Sequence, residues 1–517
     1  MIRRLSLCLL LAAAAPAQER INHAGRVLGP APVVATPILF NTPAADAVLA
    51  AMQIMPVDSP WNEVVSARPL AANSAAMIAQ INADLQASRR TLRMFAEMNF
   101  VLVPDSQPTV SIPFLDYPDE SDLDGGTSPN GLYPIPANMP VETWPRDQAA
   151  LTLEQWQQDV NGTGGDRHAI IVKPGAGFIW EMWQAKRVGS AWQASNGAKF
   201  NLNSNALRPD GWTSADAAGL PMFPALVRYD ECQRGEIEHA LRIVVARTRR
   251  AYFYPATHYA SALVDNVANA NIPAMGQRLR LRAGFTAPPT WSTAEKAVVK
   301  ALQKYGALVA DNGGFLSVSY CPDDRFAEGE FDNLRNIPVT EFEVIQTTGP
   351  TGGPRSPGAP SVQAGPDLVT TPGVAVNLTG VATTPTLPAT VQWHLYSGPG
   401  AAAFGNAAQA ATTVTFDRPG EHLLMLSASD GIHATAYDAI RVTVAPRIRM
   451  ERSSGGLSVR VATVSGVPYQ LEAANVPSVD GWSPEGVPAA GTGTDWIVPV
   501  TGTGHTARVF RVSAGSP

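Results

Sequence analysis

The sequence predicts a mainly β protein of several domains: a β-sandwich or jelly-roll-like N-terminal domain with a few helices, a second β-sandwich and a small C-terminal β module. The chain of 517 residues is long enough to bury several hydrophobic cores. Its 43 glycines and 44 prolines, with only 16% charged residues, favour turn-rich sheets over helical bundles. Most of its apolar segments alternate with period two between clusters of turn residues, which is typical of strands.

Residues 1–17 have the features of a secretory signal. Arg3 and Arg4 precede an apolar run over residues 5–15, and a stretch of small residues ends at Ala17, where we place the cleavage. No later run approaches the roughly 20 apolar residues of a transmembrane helix. The sequence therefore predicts a secreted, cell-surface or periplasmic protein with no transmembrane segment.

The charge argues against a nucleic-acid partner, and the cysteine content argues against a fold held together by disulfides. The net charge of −6 arises from well-mixed acidic and basic residues, so nothing indicates a nucleic-acid partner. Two cysteines, Cys232 and Cys321, follow the signal. In an exported protein these two can pair, although one disulfide cannot be the framework of so long a chain.

The main domain is predicted at residues 30–345. Two of its segments have helical character: 74–88, behind a candidate cap at Asn73, and 293–305, which Ser292 would cap. Eleven segments have strand character. They are residues 99–104, 109–114, 168–173, 178–184, 191–195, 198–202, 239–245, 251–254, 277–282, 307–310 and 315–320. This ratio favours the sandwich or jelly roll over a Rossmann fold or a TIM barrel.

A linker rich in proline and glycine is predicted at 346–360, and a second domain follows it. The strands predicted there are 374–378, 391–396, 412–416, 422–429 and 439–444. The stretches "VQWHLYSGPG" and "TTVTFDRPGEHLLMLSASDG" resemble the polycystic-kidney-disease (PKD) type immunoglobulin-like repeat of bacterial exoproteins. The resemblance covers residues 361–445. It implies an immunoglobulin-like sandwich, with Trp393 at its core, that spaces or attaches other domains.

Two further resemblances cover most of the remaining chain. Residues 446–517, with "TARVFRVSAG", resemble a small β-rich C-terminal module of exported proteins of the Verrucomicrobia type, which implies an anchoring or sorting role. Residues 56–342, with "DRHAIIV", "WEMWQA" and "GEIEHALR", resemble a family of exported bacterial proteins of unassigned function. This second resemblance implies one intact domain and carries no mechanism.

The stretch "GFIWEMWQAKR" places Glu181 and Trp183 on one face of a predicted strand, because side chains alternate along a strand. An indole stacks on sugar rings, and a carboxyl group beside an apolar ring has a raised pKa suited to a general acid. The alternative is structural: Trp180 and Met182 fill the core, Trp183 covers a rim, and Glu181 pairs with an arginine.

The long segment 204–245 is rich in polar side chains and too apolar to be disordered, which favours an ordered loop that forms a site. Its candidate catalytic residues are Arg208, Tyr229, Glu231, Glu236 and His239, and its candidate substrate-binding residues are Trp212 and Arg228. His239 opens a strand whose apolar residues share its face. A hydrogen-bonded core histidine is therefore the alternative for this residue.

His168 and His258 complete the candidate substrate-binding set. Together with His239 they would also offer ligands for a transition metal, but no HExxH, HxH or CxxC spacing supports one.

An acidic stretch, "DYPDESDLDGG", supplies the oxygen ligands that calcium prefers, in a loop without EF-hand spacing. The candidate calcium ligands are Asp116, Asp119, Asp122 and Asp124. A solvated acidic loop is the alternative.

Two function classes follow. The first is an enzyme acting on extracellular polysaccharide, either a glycoside hydrolase with Glu181 as acid and Glu231 or Glu236 as the second carboxylate, or a polysaccharide lyase. A lyase would use His239 or Tyr229 as base and Arg208 or Arg228 to neutralise a uronate. The second class is a non-catalytic surface or adhesion protein that binds glycans or envelope components. A serine hydrolase is disfavoured, because no GxSxG elbow is present.

Overall fold

The computed structural model describes residues 19–146, 150–349, 358–385, 388–453, 456–475, 481–500 and 508–514. The predicted signal at 1–17 and residues 350–357 of the predicted linker lie outside this part of the chain. The chain divides into two compact units. One contains residues 22–357, and the other contains residues 358–517 with the first 21.

The unit of residues 22–357 has fifteen strands and five α-helices among its described residues. The strands are β1 (Ile38–Leu39), β2 (Leu92–Ala96), β3 (Phe100–Leu102), β4 (Val110–Pro113), β5 (Asn130–Tyr133), β6 (Ala169–Lys173), β7 (Phe178–Trp183), β8 (Lys186–Val188), β9 (Ala191–Gln193), β10 (Asn196–Asn201), β11 (Leu241–Val245), β12 (Arg278–Leu281), β13 (Ala307–Asn312), β14 (Leu316–Tyr320) and β15 (Phe342–Val344). The helices are α1 (Pro43–Ala50), α2 (Ser74–Asp84), α3 (Leu153–Gln157), α4 (Tyr229–Arg234) and α5 (Thr293–Lys304).

Two mixed sheets organise this unit and confirm the mainly β class. The first has the strand order β1-β3-β6-β7-β10, and the second has the order β15-β12-β13-β11-β14-β2. Three pairs are parallel: β3 with β6, β11 with β13, and β2 with β14. Alternate residues of β6 divide between two cores: Ile170 and Val172 share one core with Leu241 and Ile243 of the second sheet, while Ile171 packs in the other.

The helices follow local signals. Helix α5 begins with the capping box that Ser292 and Glu295 form, as the predicted cap requires. Helix α2 ends at Asp84 rather than at 88, and the Asn73 side chain makes no cap bond; it donates to the Ala270 carbonyl and the Asn271 side chain. The predicted C-terminal end of this helix and its predicted cap were therefore both wrong.

Ten of the eleven predicted strands of the main domain correspond to observed strands. The exception is 251–254, where Tyr252 forms a single isolated bridge to Met275. Five observed strands were not predicted: β1, β2, β5, β8 and β15. Each has two to five residues, too few to display a clear period.

The described residues of the second unit form nine strands between 361 and 444: β16 (Ser361–Gln363), β17 (Leu368–Thr370), β18 (Val376–Thr379), β19 (Val381–Thr383), β20 (Thr390–Ser397), β21 (Ala402–Phe404), β22 (Ala411–Phe416), β23 (Gly420–Ser429) and β24 (Ala436–Val444). The main sheet has the order β17-β24-β23-β20. Trp393 is 1% exposed in the core that this sheet forms with β18 and β22, as predicted, and its Nε1 donates to the Ala410 carbonyl at 2.9 Å.

The remaining strands form a small β module. They are β25 (Arg447–Ser453), β26 (Gly456–Ala462), β27 (Pro468–Asn475), β28 (Ser483–Pro484), β29 (Ala489–Ala490), β30 (Asp495–Val500) and β31 (Arg508–Ala514). The last strand pairs antiparallel with β27, and Phe510 lies in the core of the module.

Candidate active site

A cluster of carboxyl groups surrounds Arg242, the second residue of β11. Its guanidinium donates from Nε and Nη2 to both oxygens of Asp216, at 2.8 and 2.9 Å, and from Nη2 to Asp311 at 3.2 Å. Nη1 donates to the Ser319 hydroxyl at 3.3 Å. We call this group, with the residues described next, the Arg242 cluster. Arg242 is 4% exposed, so the two acidic partners compensate a charge that has left water.

Ser319 connects Arg242 to Glu97, the residue that follows β2. The Ser319 hydroxyl donates to Glu97 Oε2 at 2.5 Å. Burial raises the pKa of Glu97, and the positive charge of Arg242 opposes that effect. The parallel pairing of β2 with β14 places Glu97 and Ser319 side by side, although 222 positions separate them in the chain.

Glu142 and His168 form a reciprocal pair from two loops. The backbone N–H of His168 donates to Glu142 Oε2 at 3.0 Å, and the backbone N–H of Glu142 donates to the His168 carbonyl at 2.8 Å. Burial raises the pKa of Glu142 to about 7; the bond from His168 opposes this, while Glu97 and Asp166 add to it. At neutral pH this carboxyl group therefore exists in both protonation states.

The imidazole of His168 is 4% exposed, and its Nδ1 has no hydrogen-bond partner among the described residues. Burial, followed by the charge of Arg242, lowers the pKa of His168 to about 4. The ring is therefore neutral at physiological pH; a backbone hydrogen bond with Met182 acts on it, and its Nδ1 is left without a partner among the described residues.

The rim of the cluster is exposed and aromatic. Asp166 is exposed and accepts from Trp183 Nε1 at 3.4 Å, and the ring of Trp183 lies 6.1 Å from that of Tyr117, which is 42% exposed. Asp166 also interacts electrostatically with Glu97 and Glu142. Trp183 thus lies beside the exposed carboxylate of Asp166, and its sugar-stacking role stays a prediction.

Strained backbone flanks the cluster. Thr143 (φ 66°), Arg167 (φ 52°) and Gln184 (φ 57°) adopt the left-handed region, which residues other than glycine rarely occupy. They adjoin Glu142, His168 and Trp183 respectively. Such strain costs of the order of 1–3 kcal/mol per residue. Three further residues, Met55, Asp124 and Asp159, adopt the same region elsewhere in the described chain.

Glu181, the first candidate from the sequence, is fully buried, and its carboxyl group accepts hydrogen bonds from backbone N–H groups. Its carboxyl oxygens accept from the N–H groups of Met222 and Phe223 at 2.8 to 3.0 Å, at the start of the 3₁₀ turn Phe223–Ala225. Burial raises the pKa of Glu181 to about 8 against these two bonds. Since its exposed fraction is 0%, no substrate reaches it in this arrangement.

Arg228, Glu231 and His239 do come together, as expected for a site. Arg228 Nη2 lies 2.6 Å from one oxygen of Glu231, and His239 Nε2 lies 3.2 Å from the other. These side chains line a small pocket, but each is at most 5% exposed. Burial raises the pKa of Glu231, yet Arg228 and His239 more than offset it, and the net pKa is about 2. Glu231 is therefore a fixed anion that joins α4 to β11.

Two further candidates, Tyr229 on α4 and Glu236 after the helix, are not among the charged side chains that line this pocket. The ring of Tyr229 packs edge-on against Phe326, with the Arg325 guanidinium 4.0 Å from its centroid. Glu236 is exposed on the surface after the helix. The predicted pairing of Glu181 with Glu231 or Glu236 as two catalytic carboxyls is thus not supported by the geometry.

Arg208 pairs with the acidic loop, and Trp212 lies beside Arg208. The Arg208 guanidinium pairs with Asp122 and lies 5.5 Å from the Trp212 ring. Lys199 Nζ lies 2.5 Å from Asp124, which also accepts from Trp180 Nε1 at 2.8 Å.

The calcium expectation is not supported, because cationic side chains or hydrogen-bond donors already contact Asp116, Asp122 and Asp124. Asp116 accepts from Ser195, and Asp119 takes part in no group with the others. Within the part of the chain that the structure describes, no three His, Cys, Asp or Glu side chains converge as a metal site would require.

His258 and the two cysteines are the last residues that the sequence analysis singled out. His258 Nδ1 interacts with the carbonyl of Ala217, next to Asp216, and its ring stacks on Tyr259 with centroids 5.4 Å apart. Cys232 and Cys321 are free, buried thiols, so the suggested pairing was wrong. Burial raises the pKa of both, which keeps them protonated and unreactive.

Sequence reasoning missed most of the Arg242 cluster. Of its members, only His168 and Trp183 were candidates; Glu97, Glu142, Asp166, Asp216, Arg242 and Asp311 were not. One usable signal existed. Arg242 interrupts the otherwise apolar strand "LRIVV", and a charged residue at such a position requires a buried partner.

The family comparison concerns the second unit. A family model that describes a PKD domain matches residues 364–444. The solution structure of the PKD domain from KIAA 1837 protein is 23% identical, with a TM-score of 0.15, and the match covers 19% of this chain and 91% of that chain. The PKD domain of human KIAA0319 is 22% identical, with a TM-score of 0.16, and the match covers 21% and 100%.

The chain therefore contains an immunoglobulin-like domain of the PKD type, and this part of the sequence prediction is confirmed. No curated protein matches the chain. Among the described residues, no helix has the length and apolar character needed to cross a membrane.

Proposed function

We propose that the unit of residues 22–357 is a carbohydrate-active hydrolase that cleaves extracellular polysaccharide at the Arg242 cluster. The observation that carries the proposal is Glu142, a carboxyl group with a pKa of about 7 that lies among other carboxyl groups. Glycoside hydrolysis uses such a set: a protonated carboxyl group that protonates the leaving oxygen, and a second carboxylate that acts as nucleophile or base.

The geometry suggests a role for each residue. Glu142 is the general acid. Asp166 is the second carboxylate, because it is exposed, whereas Arg242 holds both oxygens of Asp216. His168 Nδ1 contacts a substrate hydroxyl, and the Trp183 and Tyr117 rings stack on a sugar at the rim.

A lyase acting on uronates has less support. It needs a cation that neutralises the uronate carboxylate. Arg208, Arg228 and Arg242 each already donate to an acidic side chain. The surrounding carboxyl groups would also repel an anionic sugar.

The rest of the chain fits an exported enzyme. Under this proposal the predicted signal exports the protein, and the PKD-type domain and the C-terminal module attach it to a surface or space it from one. These modules serve enzymes and binders equally, so the test is directed at the cluster itself.

The test is a reducing-end assay of the full secreted chain on a panel of plant, algal and bacterial polysaccharides. Glu142→Gln removes the acidic proton and should lower the rate by about 10²–10⁴-fold. Wild-type activity should fall as pH rises through about 7, because the acid must be protonated. Glu328→Gln, at an exposed carboxylate, is the matched control and should leave the rate unchanged. Equal rates for Glu142→Gln and wild type would refute the assignment.

A second candidate, a non-catalytic glycan-binding protein, is favoured by the Tyr117 and Trp183 ring pair. It predicts that no polysaccharide in the panel yields product, while one of them binds and Trp183→Ala abolishes that binding. The hydrolase instead predicts that Glu142→Gln retains binding after product release is lost.

A further inference from the structure

The charge balance of the Arg242 cluster points to a class of substrate. Five carboxyl groups lie within electrostatic reach of Arg242 or of one another: Glu97, Glu142, Asp166, Asp216 and Asp311. Arg167 also interacts with Glu142, but its guanidinium mainly donates to three backbone carbonyls near Asp159. Acidic groups therefore outnumber the cations that serve them.

Two of these carboxyl groups have raised pKa values, mainly because they are buried. Burial raises the pKa of Asp311 to about 6, with Arg242 opposing and Asp216 adding to the effect, and Glu142 has a pKa of about 7. A bound cation would stabilise their ionised forms. The cluster would thereby gain the positive charge that a second arginine would otherwise supply.

An independent observation shows that the cluster is not self-contained. The side chain of His168 is buried, yet its Nδ1 has no partner in the described part of the chain. The ring interacts electrostatically with Arg242, Asp166 and Asp216, so it lies near these charged groups of the cluster. A buried polar atom without a partner is costly, and a ligand hydroxyl or ammonium group would satisfy it.

We propose that the Arg242 cluster binds a saccharide through a protonated amino group, so that the substrate is a cationic polysaccharide of the glucosamine type. This inference rests on the proposed function and names its substrate class. Asp311 and Asp166 contact the ammonium group because both reach solvent: the Asp311 side chain is 33% exposed, and Asp166 is exposed. His168 Nδ1 contacts a neighbouring hydroxyl.

Two other ligand classes fit the same residues less well. A divalent metal would need three converging ligands, and the described residues contain no such group. A uronate would bring a further negative charge beside carboxyl groups that already repel one another. An amino sugar offers both the positive charge and the hydroxyl donors that the cluster lacks.

The test measures binding by calorimetry with the full chain at neutral pH and low ionic strength. The probes are three oligosaccharides of equal length: glucosamine, N-acetylglucosamine and β-1,4-linked glucose. Acetylation removes the charge and keeps the ring, so the first two form a matched pair. Asp311→Asn and Asp166→Asn each remove one negative charge with little change in shape. Asp332→Asn is the control, because that carboxylate is exposed and pairs with Arg335.

We expect the glucosamine oligomer to bind at least about tenfold more tightly than the other two, and either cluster variant to weaken it about tenfold, as for a charge-assisted hydrogen bond. Asp332→Asn should bind as wild type does, and added salt should weaken binding. Equal or tighter binding of a neutral oligomer would overturn the amino-sugar inference and leave the hydrolase proposal standing. Absence of binding and of product with all three probes and the polysaccharide panel would overturn both.

Discussion

Replacing Glu181 by glutamine tests whether this carboxyl group is structural. The folded pKa of about 8 lies above the ordinary value of 4.5. The folded state therefore binds the proton more tightly than the unfolded chain does. It follows that the free energy of unfolding falls as pH rises from about 4.5 to about 8 and changes no further above that.

The magnitude follows from the size of the shift. One pKa unit corresponds to about 1.36 kcal/mol, so the difference between about 8 and 4.5 gives a loss of roughly 5 kcal/mol across that pH range. Glutamine does not titrate, and its amide oxygen still accepts from the Met222 and Phe223 N–H groups. The variant should therefore lack this part of the pH dependence.

The assay is urea unfolding of wild type and Glu181→Gln at about pH 5 and about pH 8, with the difference between the two pH dependences as the result. A local readout is amide hydrogen exchange at Met222 and Phe223, which Glu181→Ala should accelerate because two buried donors lose their acceptor. Identical pH dependences, with unchanged exchange at these amides, would refute the structural role.

Three further predictions concern other parts of the chain. Arg242→Met leaves buried carboxylates without their cation and should cost about 3–5 kcal/mol in urea unfolding; a loss below about 1 kcal/mol would contradict the ion-pair assignment. Trp393→Ala should lower the unfolding free energy of the PKD-type domain by about 3–5 kcal/mol, followed by near-ultraviolet circular dichroism, and an unchanged stability would contradict its place in the core. Non-reducing mass mapping should recover Cys232 and Cys321 as free thiols that alkylate only after denaturation, whereas a linked peptide pair would contradict the structure.

The sequence specified local features better than it specified the site. The capping box at Ser292 and the alternation that buries Trp393 are encoded within a few residues, so both could be predicted. The contact between Glu97 and Ser319 depends on a parallel pairing across 222 positions, and no local period records it. Glu142 is a single acidic residue in a loop. It becomes a candidate only because the fold buries it beside His168, and no local pattern in the sequence predicts that burial.

Burial alone does not identify a catalytic carboxyl group in this protein. Glu181 has a pKa of about 8 and Glu142 one of about 7, so a ranking by pKa would select the residue that no substrate can reach. Glu181 is 0% exposed, and backbone N–H groups occupy its oxygens; Glu142 is 8% exposed beside His168, which has an open nitrogen. A raised pKa indicates only that the carboxyl group is removed from water. Solvent exposure and a polar atom without a hydrogen-bond partner indicate instead that a ligand can bind there. By that criterion we place the proposed chemistry at the Arg242 cluster, whereas Glu181 is buried and accepts hydrogen bonds from the backbone.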